Sequence, residues 1–389
     1  MKFLSVFRKT LQEQLRDLTV LSLTLVFAPL FVFLYWLFFP SGSTSFGVLI
    51  INQDPGIQLA NGSTFDAGAL VMEAIDHVTY PDGNPLLRAR RVESFEAAES
   101  LLREREATAF IIIPEDFSRV LATATQDQDA ASATVVFGGD LTNPYYAIAA
   151  ILTTSAVETT MQDLTGRKPL IEYKETPLGG SAARTEFETY VPGILIFAVI
   201  MLIFTASMTV AREIEAGTLR RLQIARLKPW EFLGGITSAL MIVGIVSIML
   251  AFLTAAALGF RSQGPLWVAI LIGALTSLSI IGAGMVVASF STSVARAFVI
   301  ANFPLGLFMF FSGVIYPVPK VTLFSLAGHT VGLYDILPAT HAVAALNKIL
   351  NLGVDLEGVL YELTSLALLS IGAFAFGVWL FGRRHMRAG

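Results

Sequence analysis

The sequence of 389 residues contains no cysteine, and only 14% of its residues are charged. Without cysteine no disulfide can stabilise an exported region, so every folded part relies on its own core. Soluble domains usually carry about 25% charged residues. Because 54% of the residues are hydrophobic, the shortage of charge favours a protein embedded in a membrane.

The residues that usually build catalytic, metal or nucleotide sites are also scarce. The four histidines have no i, i+4 pairing and no carboxylate at ligand spacing, which argues against a metal site. No GxxxxGK[ST] motif occurs, so the chain has no phosphate-binding loop for ATP. A membrane-embedded hydrolase is disfavoured because the later apolar runs hold no histidine or paired carboxylates at their centres. We therefore predict no catalytic residue, metal or cofactor in this chain.

Six apolar runs are each long enough to cross a hydrocarbon core of ~30 Å as a helix. The first run is too long for the core of a secretory signal and lacks a small-x-small cleavage site, so we expect a retained anchor. The predicted fold class is a polytopic α-helical membrane protein with six transmembrane helices. The runs are Val20 to Phe39, Val191 to Val210, Phe232 to Phe260, Pro265 to Phe290, Ala297 to Tyr316 and Val359 to Phe381.

The positions of lysine and arginine predict the orientation of these helices. With the amino terminus inside, the cytoplasmic segments hold thirteen of these residues, whereas the short outer connections hold only Arg261, Lys320 and Lys348. This bias is the positive-inside pattern. We expect both termini in the cytoplasm and an amphipathic helix over residues 1–19 along the inner membrane surface.

A long polar segment, residues 40–189, separates the first two runs. Between Ser41 and Glu188 it holds 21 acidic and 10 basic residues, which argues against nucleic acid or anionic lipid as its partner. Its alternating strand-like and helix-like stretches predict an inserted α/β or α+β extracytoplasmic domain. The expected strands are Phe46 to Asn52, Arg88 to Val92, Thr108 to Ile113 and Ala133 to Phe137, and the expected helices are Asp66 to Asp76, Phe95 to Arg105 with Ser94 as N-cap, Glu115 to Ala124 and Asn143 to Leu164.

A dense charged island, Ala211 to Arg226, lies between the second and third runs. We expect a helix over residues 212–226 that could act as a cytoplasmic handle for another protein, with charge on one side and an apolar ridge on another. A solvated loop with positive-inside arginines is the alternative. The charged side would carry Glu213, Gly217, Arg220 and Arg221, and the other side Thr218, Leu219 and Leu222.

The fifth run contains Asn302 and Pro304, followed by Phe308 and Phe311. A polar amide in a span should face other helices or a cavity, and a proline opens the backbone ladder. A substrate route lined by aromatic side chains and ordinary packing of a kinked helix both fit this pattern.

The segment of residues 317–352 is apolar but too interrupted by glycine and proline for one span. We expect a re-entrant or interfacial hairpin on the outside, in which Asp335, His341 and Lys348 reach water.

Four stretches carry a resemblance: YVPG at Tyr190 to Gly193, REIEAGTL at Arg212 to Leu219, FSGVIYPVP at Phe311 to Pro319 and LPAT at Leu337 to Thr340. They closely resemble the ABC-2 type permeases, the membrane subunits of type V ABC transporters. That family has a Pro-Gly at the start of the second span, a coupling helix containing Gly-Thr, and a Ser-Gly-x-x-x-Pro at the end of the fifth span. With the spans and the exported domain, the resemblance covers essentially the whole chain and points to the branch with a large extracytoplasmic domain between the first two transmembrane helices.

The resemblance implies a permease subunit of an ATP-driven exporter in the bacterial inner membrane, with an amphipathic or lipid-like cargo such as a drug, lipid or natural product. ATP and Mg²⁺ would bind a separate ABC ATPase, present in two copies. The other implied partners are a second permease copy or a homologous permease, and a periplasmic membrane-fusion protein, with no nucleic acid. A membrane-anchored receptor or assembly scaffold with an exported sensing domain is the alternative function.

The resemblance also implies roles for individual residues. The residues implied in ATPase coupling are Arg212, Glu213, Glu215, Gly217, Thr218, Leu219, Arg220, Arg221 and Leu222. The residues expected in the substrate path or the outer gate are Asn302, Pro304, Phe308, Phe311, Ser312, Gly313, Tyr316, Pro317, Pro319 and Pro338. The sequence departs from the family's frequent Glu at Arg220, Ser/Thr-Pro at Ala225-Arg226 and Lys at Gly235.

Overall fold

The computed structural model describes residues 2–38, 45–59, 62–80, 83–104, 106–124, 132–141, 143, 145–166, 185–318, 321–326 and 329–386. The predictions for Arg105, Pro319 and Lys320, and for the side chains of Arg220 and Leu222, lie outside this part. The chain divides into two compact units. One comprises Met1–Phe39 with Pro177–Gly389, and the other is Pro40–Thr176.

Two helices open the first unit. Helix α1, Lys2–Arg16, is amphipathic, as the alternation of apolar and charged residues predicts. Helix α2, Leu18–Phe38, is apolar and contains Pro29. The boundary between the amphipathic helix and the first apolar helix is therefore the single residue Asp17.

The unit Pro40–Thr176 is built on a mixed four-stranded sheet in the spatial order β4-β1-β5-β6. β1 pairs in parallel with both β4 and β5, and β6 pairs antiparallel with β5. Parallel neighbours require crossover connections, and helices provide them here. The strands are β1 (Phe46–Asn52), β2 (Ile57–Gln58), β3 (Thr64–Phe65), β4 (Leu87–Arg91), β5 (Ala109–Ile113) and β6 (Val136–Gly139), of which β2 and β3 form a separate antiparallel pair.

Helices cover both faces of this sheet. Val48 and Ile50 pack with α3, α5 and α6 on one face, while Leu49 and Ile51 pack with α4 on the other. Ser94 caps α4 as predicted, because its side chain accepts a hydrogen bond from the Ala97 amide at 3.2 Å. The helices are α3 (Ala67–Asp76), α4 (Phe95–Arg103), α5 (Phe117–Ala124) and α6 (Tyr146–Thr165).

The remaining helices of the first unit are long and largely apolar. Five described helices are long and apolar enough to cross a membrane: Glu186–Glu215, Pro229–Ala257, Leu266–Ser289, Val294–Phe311 and Leu356–His385. Helix α2 contributes the shorter apolar stretch Thr24–Phe38, so the sixth span stays a prediction. The helices are α7 (Glu186–Ile200), α8 (Leu202–Glu215), α9 (Thr218–Ile224), α10 (Pro229–Ala257), α11 (Leu266–Ser289), α12 (Val294–Phe311), α13 (Pro338–Leu346) and α14 (Leu360–His385).

The segment of residues 317–352 contains more structure than a plain hairpin. Strands β7 (Thr322–Leu326) and β8 (His329–Gly332) pair antiparallel, and a π-helical turn, Asn347–Asn351, follows α13. The expectation that His341 reaches water is wrong. Helix α13 packs into the main apolar core, so His341 is only 4% exposed, and its ring Nε2 lies 2.9 Å from the carbonyl oxygen of Asp335.

Candidate functional site

The charged island is a helix end, a turn and a second short helix. Helix α8 continues through Arg212 and Glu213 and ends at Glu215. Gly217 then adopts a φ of +65°, and its amide donates to the carbonyl of Ile214 at 3.1 Å. Glycine favours this left-handed conformation and commonly terminates helices in this way. The continuous helix predicted over residues 212–226 is therefore wrong.

This turn changes the faces that the residues share. Glu213 belongs to α8, whereas Thr218, Leu219 and Arg221 belong to α9, so one helical wheel no longer relates them. Leu219 is buried in a core shared with α8 and α10, and Arg221 is exposed. The apolar side of α9 thus packs, through Leu219, against α8 and α10 of the same chain.

The carboxylate of Glu213 accepts two hydrogen bonds, one at each of its oxygens. The Thr218 hydroxyl donates to its Oε2 at 2.5 Å, and the Lys9 ammonium donates to its Oε1 at 2.6 Å. Burial alone lowers the pKa of Lys9, but the hydrogen bond and charge of Glu213 outweigh burial, so the pKa is raised above 10.5. Helix α1 is therefore an electrostatic partner of the island.

Helix α1 brackets α9 at both of its ends. Lys9 bonds Glu213 in the last turn of α8, before α9 begins, and Lys2 donates to the carbonyl oxygens of Ala225 at 2.8 Å and Arg226 at 3.0 Å, just beyond the end of α9. The guanidinium of Arg212 lies 3.4 Å from Asp17, the residue that joins α1 to α2. The island is thus connected to the first apolar helix as well as to α8 and α10.

Two further contacts join the helices near the charged island, one between α8 and α12 and the other between α1 and α10. The carboxylate of Glu215 accepts a hydrogen bond from the Val294 amide at 2.8 Å, which satisfies a free donor at the start of α12. A methyl group placed on Gly235 would lie 2.8 Å from the Cβ of Val6 and 3.0 Å from the carbonyl oxygen of Phe3. The departure from a family lysine at this position leaves room for α1 to pack on α10.

An apolar pocket of about 280 Å³ opens where α2, α12 and the α7–α8 junction meet. The Phe204 and Phe298 rings stack with centroids 4.8 Å apart, and the Thr24 and Thr205 hydroxyls form a hydrogen bond at 3.1 Å. Aromatic and thioether walls with two hydroxyls fit the apolar body of an amphipathic molecule. The pocket is lined by Thr24, Phe27, Met201, Phe204, Thr205, Met208 and Phe298.

The predicted path residues of α12 divide into two groups. Asn302 is exposed, and its Nδ2 donates to the carbonyl of Phe298, a pocket residue, at 2.9 Å. Pro304, two residues further along, is partly buried. Phe308 is buried, and its carbonyl accepts a hydrogen bond from the Ser312 hydroxyl. Asn302 and Pro304 thus lie in the middle of α12, and Phe308 lies in its last turn.

The predicted gate residues surround the end of α12. The Phe311 ring stacks on Tyr334 with centroids 5.4 Å apart, while Tyr316 and Pro317 are exposed. Pro338 is buried at the first turn of α13, where proline is well tolerated. Gly313 has a φ of +76° and turns the chain out of α12.

The motif that contains Gly193 is in contact with the motif that contains Val314. A methyl group placed on Gly193 would overlap the carbonyl oxygen of Val314 and lie 3.1 Å from its carbonyl carbon. The Pro-Gly of α7 therefore packs main chain to main chain against the Ser-Gly-x-x-x-Pro stretch at the end of α12. The sequence matches the family described as ABC-2 family transporter protein over residues 17–379. The chain belongs to this family. No curated protein matches the chain.

As an ABC-2 family protein, the chain is a multi-pass membrane transport subunit, a class that is not itself catalytic. Lys2, Lys9 and Asp17 were predicted only as part of an amphipathic helix, and their contacts with the charged island of this ABC-2 protein were not predicted. Their partners lie about 200 residues away along the chain, so no local pattern reveals them. The pocket threonines were missed for the same reason, since Thr24 and Thr205 become neighbours only by helix packing.

Proposed function

We propose that this chain is the permease subunit of an ATP-driven exporter that moves an amphipathic or lipid-like substrate, such as a drug, lipid or natural product. Membership of the ABC-2 family supports a transport role. In this proposal ATP and Mg²⁺ bind to a separate ABC ATPase present in two copies, and a second permease copy or a homologous permease completes the assembly. The protein lies in the bacterial inner membrane with both termini in the cytoplasm.

The observation that carries the proposal is the short helix α9 between two turns. α9 lies in the chain between α8, which ends the second span, and α10, which forms the third span. Exposed Arg221 and the open left-handed turn at Gly217 offer a surface for the ATPase. Because Leu219 packs into the core with α8 and α10, a displacement of α9 also displaces both helices.

The apolar pocket supports the choice of substrate class. Its walls bind hydrocarbon or aromatic groups, while the hydroxyls of Thr24 and Thr205 accept or donate one hydrogen bond. The substrate then follows α12 past Asn302 and Pro304 toward Phe308 and the outer gate. The unit Pro40–Thr176 lies on the extracytoplasmic side in this proposal, where a membrane-fusion protein is its partner.

Purification of the tagged full-length chain from native membranes tests this proposal. We expect an ABC ATPase to copurify with the chain at an equal number of copies, and amphipathic compounds to stimulate its ATP hydrolysis. Consistent absence of an ATPase, with the Pro40–Thr176 unit binding a soluble signal instead, would favour the receptor or scaffold function. Copurification without any stimulated hydrolysis would contradict a role in transport.

A further inference from the structure

A partly buried ion pair lies away from the charged island and the apolar pocket. Glu362 is in the first turn of α14, and its Oε1 is 2.6 Å from the ammonium of Lys348. Ionisable residues at the ends of membrane spans are costly to bury and commonly functional. This pair joins the 317–352 hairpin to the last span.

Glu362 is not fully satisfied by this pairing. Within the described part of the chain, its second carboxylate oxygen, Oε2, is buried and has no hydrogen-bond partner. A buried acceptor without a partner is unfavourable. Among the described residues, Lys348 therefore supplies the hydrogen bond that the carboxylate receives.

Lys348 occupies a backbone conformation that is rare in stable helices. It lies in the π-helical turn Asn347–Asn351, and such turns are frequent at functional sites. Its neighbours in this turn bind other elements: the Leu350 carbonyl accepts from the Gln263 amide at 2.9 Å, and Asn351 donates to the Thr189 carbonyl at 3.4 Å. The turn is thus anchored, while the side chain of Lys348 projects from it.

The two partners differ in exposure. The side chain of Lys348 is 40% exposed and that of Glu362 only 10%. A second cation therefore reaches the carboxylate from the lysine side, by taking the place of the Lys348 ammonium, without separating α14 from the core.

We propose that Glu362 is a recognition residue for the ammonium group of a cationic amphipathic substrate, which exchanges with Lys348 as counter-ion at the hairpin end of the membrane unit. This inference rests on the proposed transport function for its biological meaning. The exchange replaces the Lys348–Glu362 contact between the 317–352 segment and the last span by a contact between Glu362 and the substrate.

The test measures binding without ATP, using the purified full-length chain in lipid nanodiscs. The probes are a fluorescent long-chain primary amine and its N-acetyl derivative, which is neutral but otherwise identical, with empty nanodiscs as background. We expect the wild type to bind the amine about tenfold more tightly than the neutral probe. Glu362→Gln should abolish this preference, and Lys348→Met should increase it because the competing ammonium is gone.

The opposite signs distinguish recognition from a structural role. A structural ion pair is broken equally by both substitutions, so a shift of the two variants in the same direction, or a preference retained in Glu362→Gln, overturns the proposal. Glu362→Asp keeps the charge and should keep the preference, so it decides the question with Glu362→Gln even if Lys348→Met does not fold. Since no ATPase takes part, failure here is separate from failure of the ATP-driven transport function.

Discussion

The α-carbon of Gly193 lies so close to the carbonyl group of Val314 that a methyl group on Gly193 would overlap the Val314 oxygen. Gly193 is in α7, and Val314 follows the end of α12. The contact brings together the main chains of two helix ends that are more than one hundred residues apart in sequence. It fixes the position of the loop that leads from α12 into the hairpin.

Substituting Gly193 by alanine should destabilise the membrane unit. The added methyl group forces the Val314 main chain to move, and overpacking of this kind costs about 1–3 kcal/mol. Thermal unfolding in detergent would measure the loss as a lower midpoint temperature. Gly306→Ala is the matched control within α12, since no described atom lies within 4 Å of a methyl group there, and it should be neutral or slightly stabilising. Equal midpoints for both variants would contradict the contact.

Removing the ammonium of Lys9 should weaken the attachment of α1 to the charged island. Lys9 is 51% exposed, so we expect Lys9→Met to lose no more than about 1 kcal/mol of stability. The exchange variant Lys9→Glu with Glu213→Lys should recover most of this loss. Glu13→Gln is the control, because Glu13 is farther from Lys9, at 3.6 Å, and exposed. If the exchange variant is no better than the two single changes combined, the pair is not coupled.

The same contact predicts a pH dependence. The folded-state pKa of Lys9 is raised above 10.5, so the stabilisation is complete below the unfolded pKa and is lost as the pH rises through the folded pKa. The difference in unfolding free energy between wild type and Lys9→Met should be constant near pH 8 and diminish above about pH 10.5. A difference that grows with alkaline pH would reverse the sign and refute the assignment.

The left-handed turn at Gly217 should be essential for coupling. We expect Gly217→Trp to insert normally but to abolish transport-linked ATP hydrolysis, because tryptophan disfavours a φ of +65° and blocks a close approach. Gly217→Asn should keep most of the activity, since asparagine tolerates this conformation. Gly166→Trp in the other unit imposes similar strain at a φ of +63° and should leave stimulated hydrolysis intact. Substrate-stimulated turnover unchanged in Gly217→Trp would rule out the role of the turn.

Truncating Phe298 should weaken substrate binding in the apolar pocket. Loss of a ring that lines the pocket should raise the KM for an amphipathic substrate about tenfold with little change in kcat. Phe303→Ala is the control, because Phe303 is on the same helix but 74% exposed. Initial rates in membrane vesicles would provide both constants. A similar KM for the two variants would exclude the pocket from the route.

Asp54 should be important for the stability of the Pro40–Thr176 unit. Its buried carboxylate accepts hydrogen bonds from the amide of Ser118 at 3.2 Å, the Ser118 hydroxyl at 2.5 Å and the Gly56 amide at 3.3 Å. Asp54→Ala leaves these donors buried without a partner, which costs about 2–3 kcal/mol. Limited proteolysis of the full chain should then cleave this unit faster. Asp116→Ala, at an exposed carboxylate, should not change the rate.

Local signals in the sequence predicted most of the secondary structure. The bounds of β1 and the Ser94 cap are confirmed, because strand alternation and a capping side chain act over a few residues. The break at Gly217 was missed although glycine is a common helix terminator, since the charges on both sides favoured one amphipathic helix. The strand order β4-β1-β5-β6 follows from long-range pairing that periodicity does not encode.

The sequence by itself determined that this is a membrane protein, where its apolar helices lie and which family motifs it carries, because hydrophobic length and short motifs are properties of consecutive residues. Only the tertiary structure decided that α1 brackets α9, that Gly193 meets Val314 and that Lys348 pairs with Glu362. Each of these contacts depends on how helices pack. Packing is set by the shapes of many side chains together, so the partners of one residue cannot be read from its neighbours along the chain.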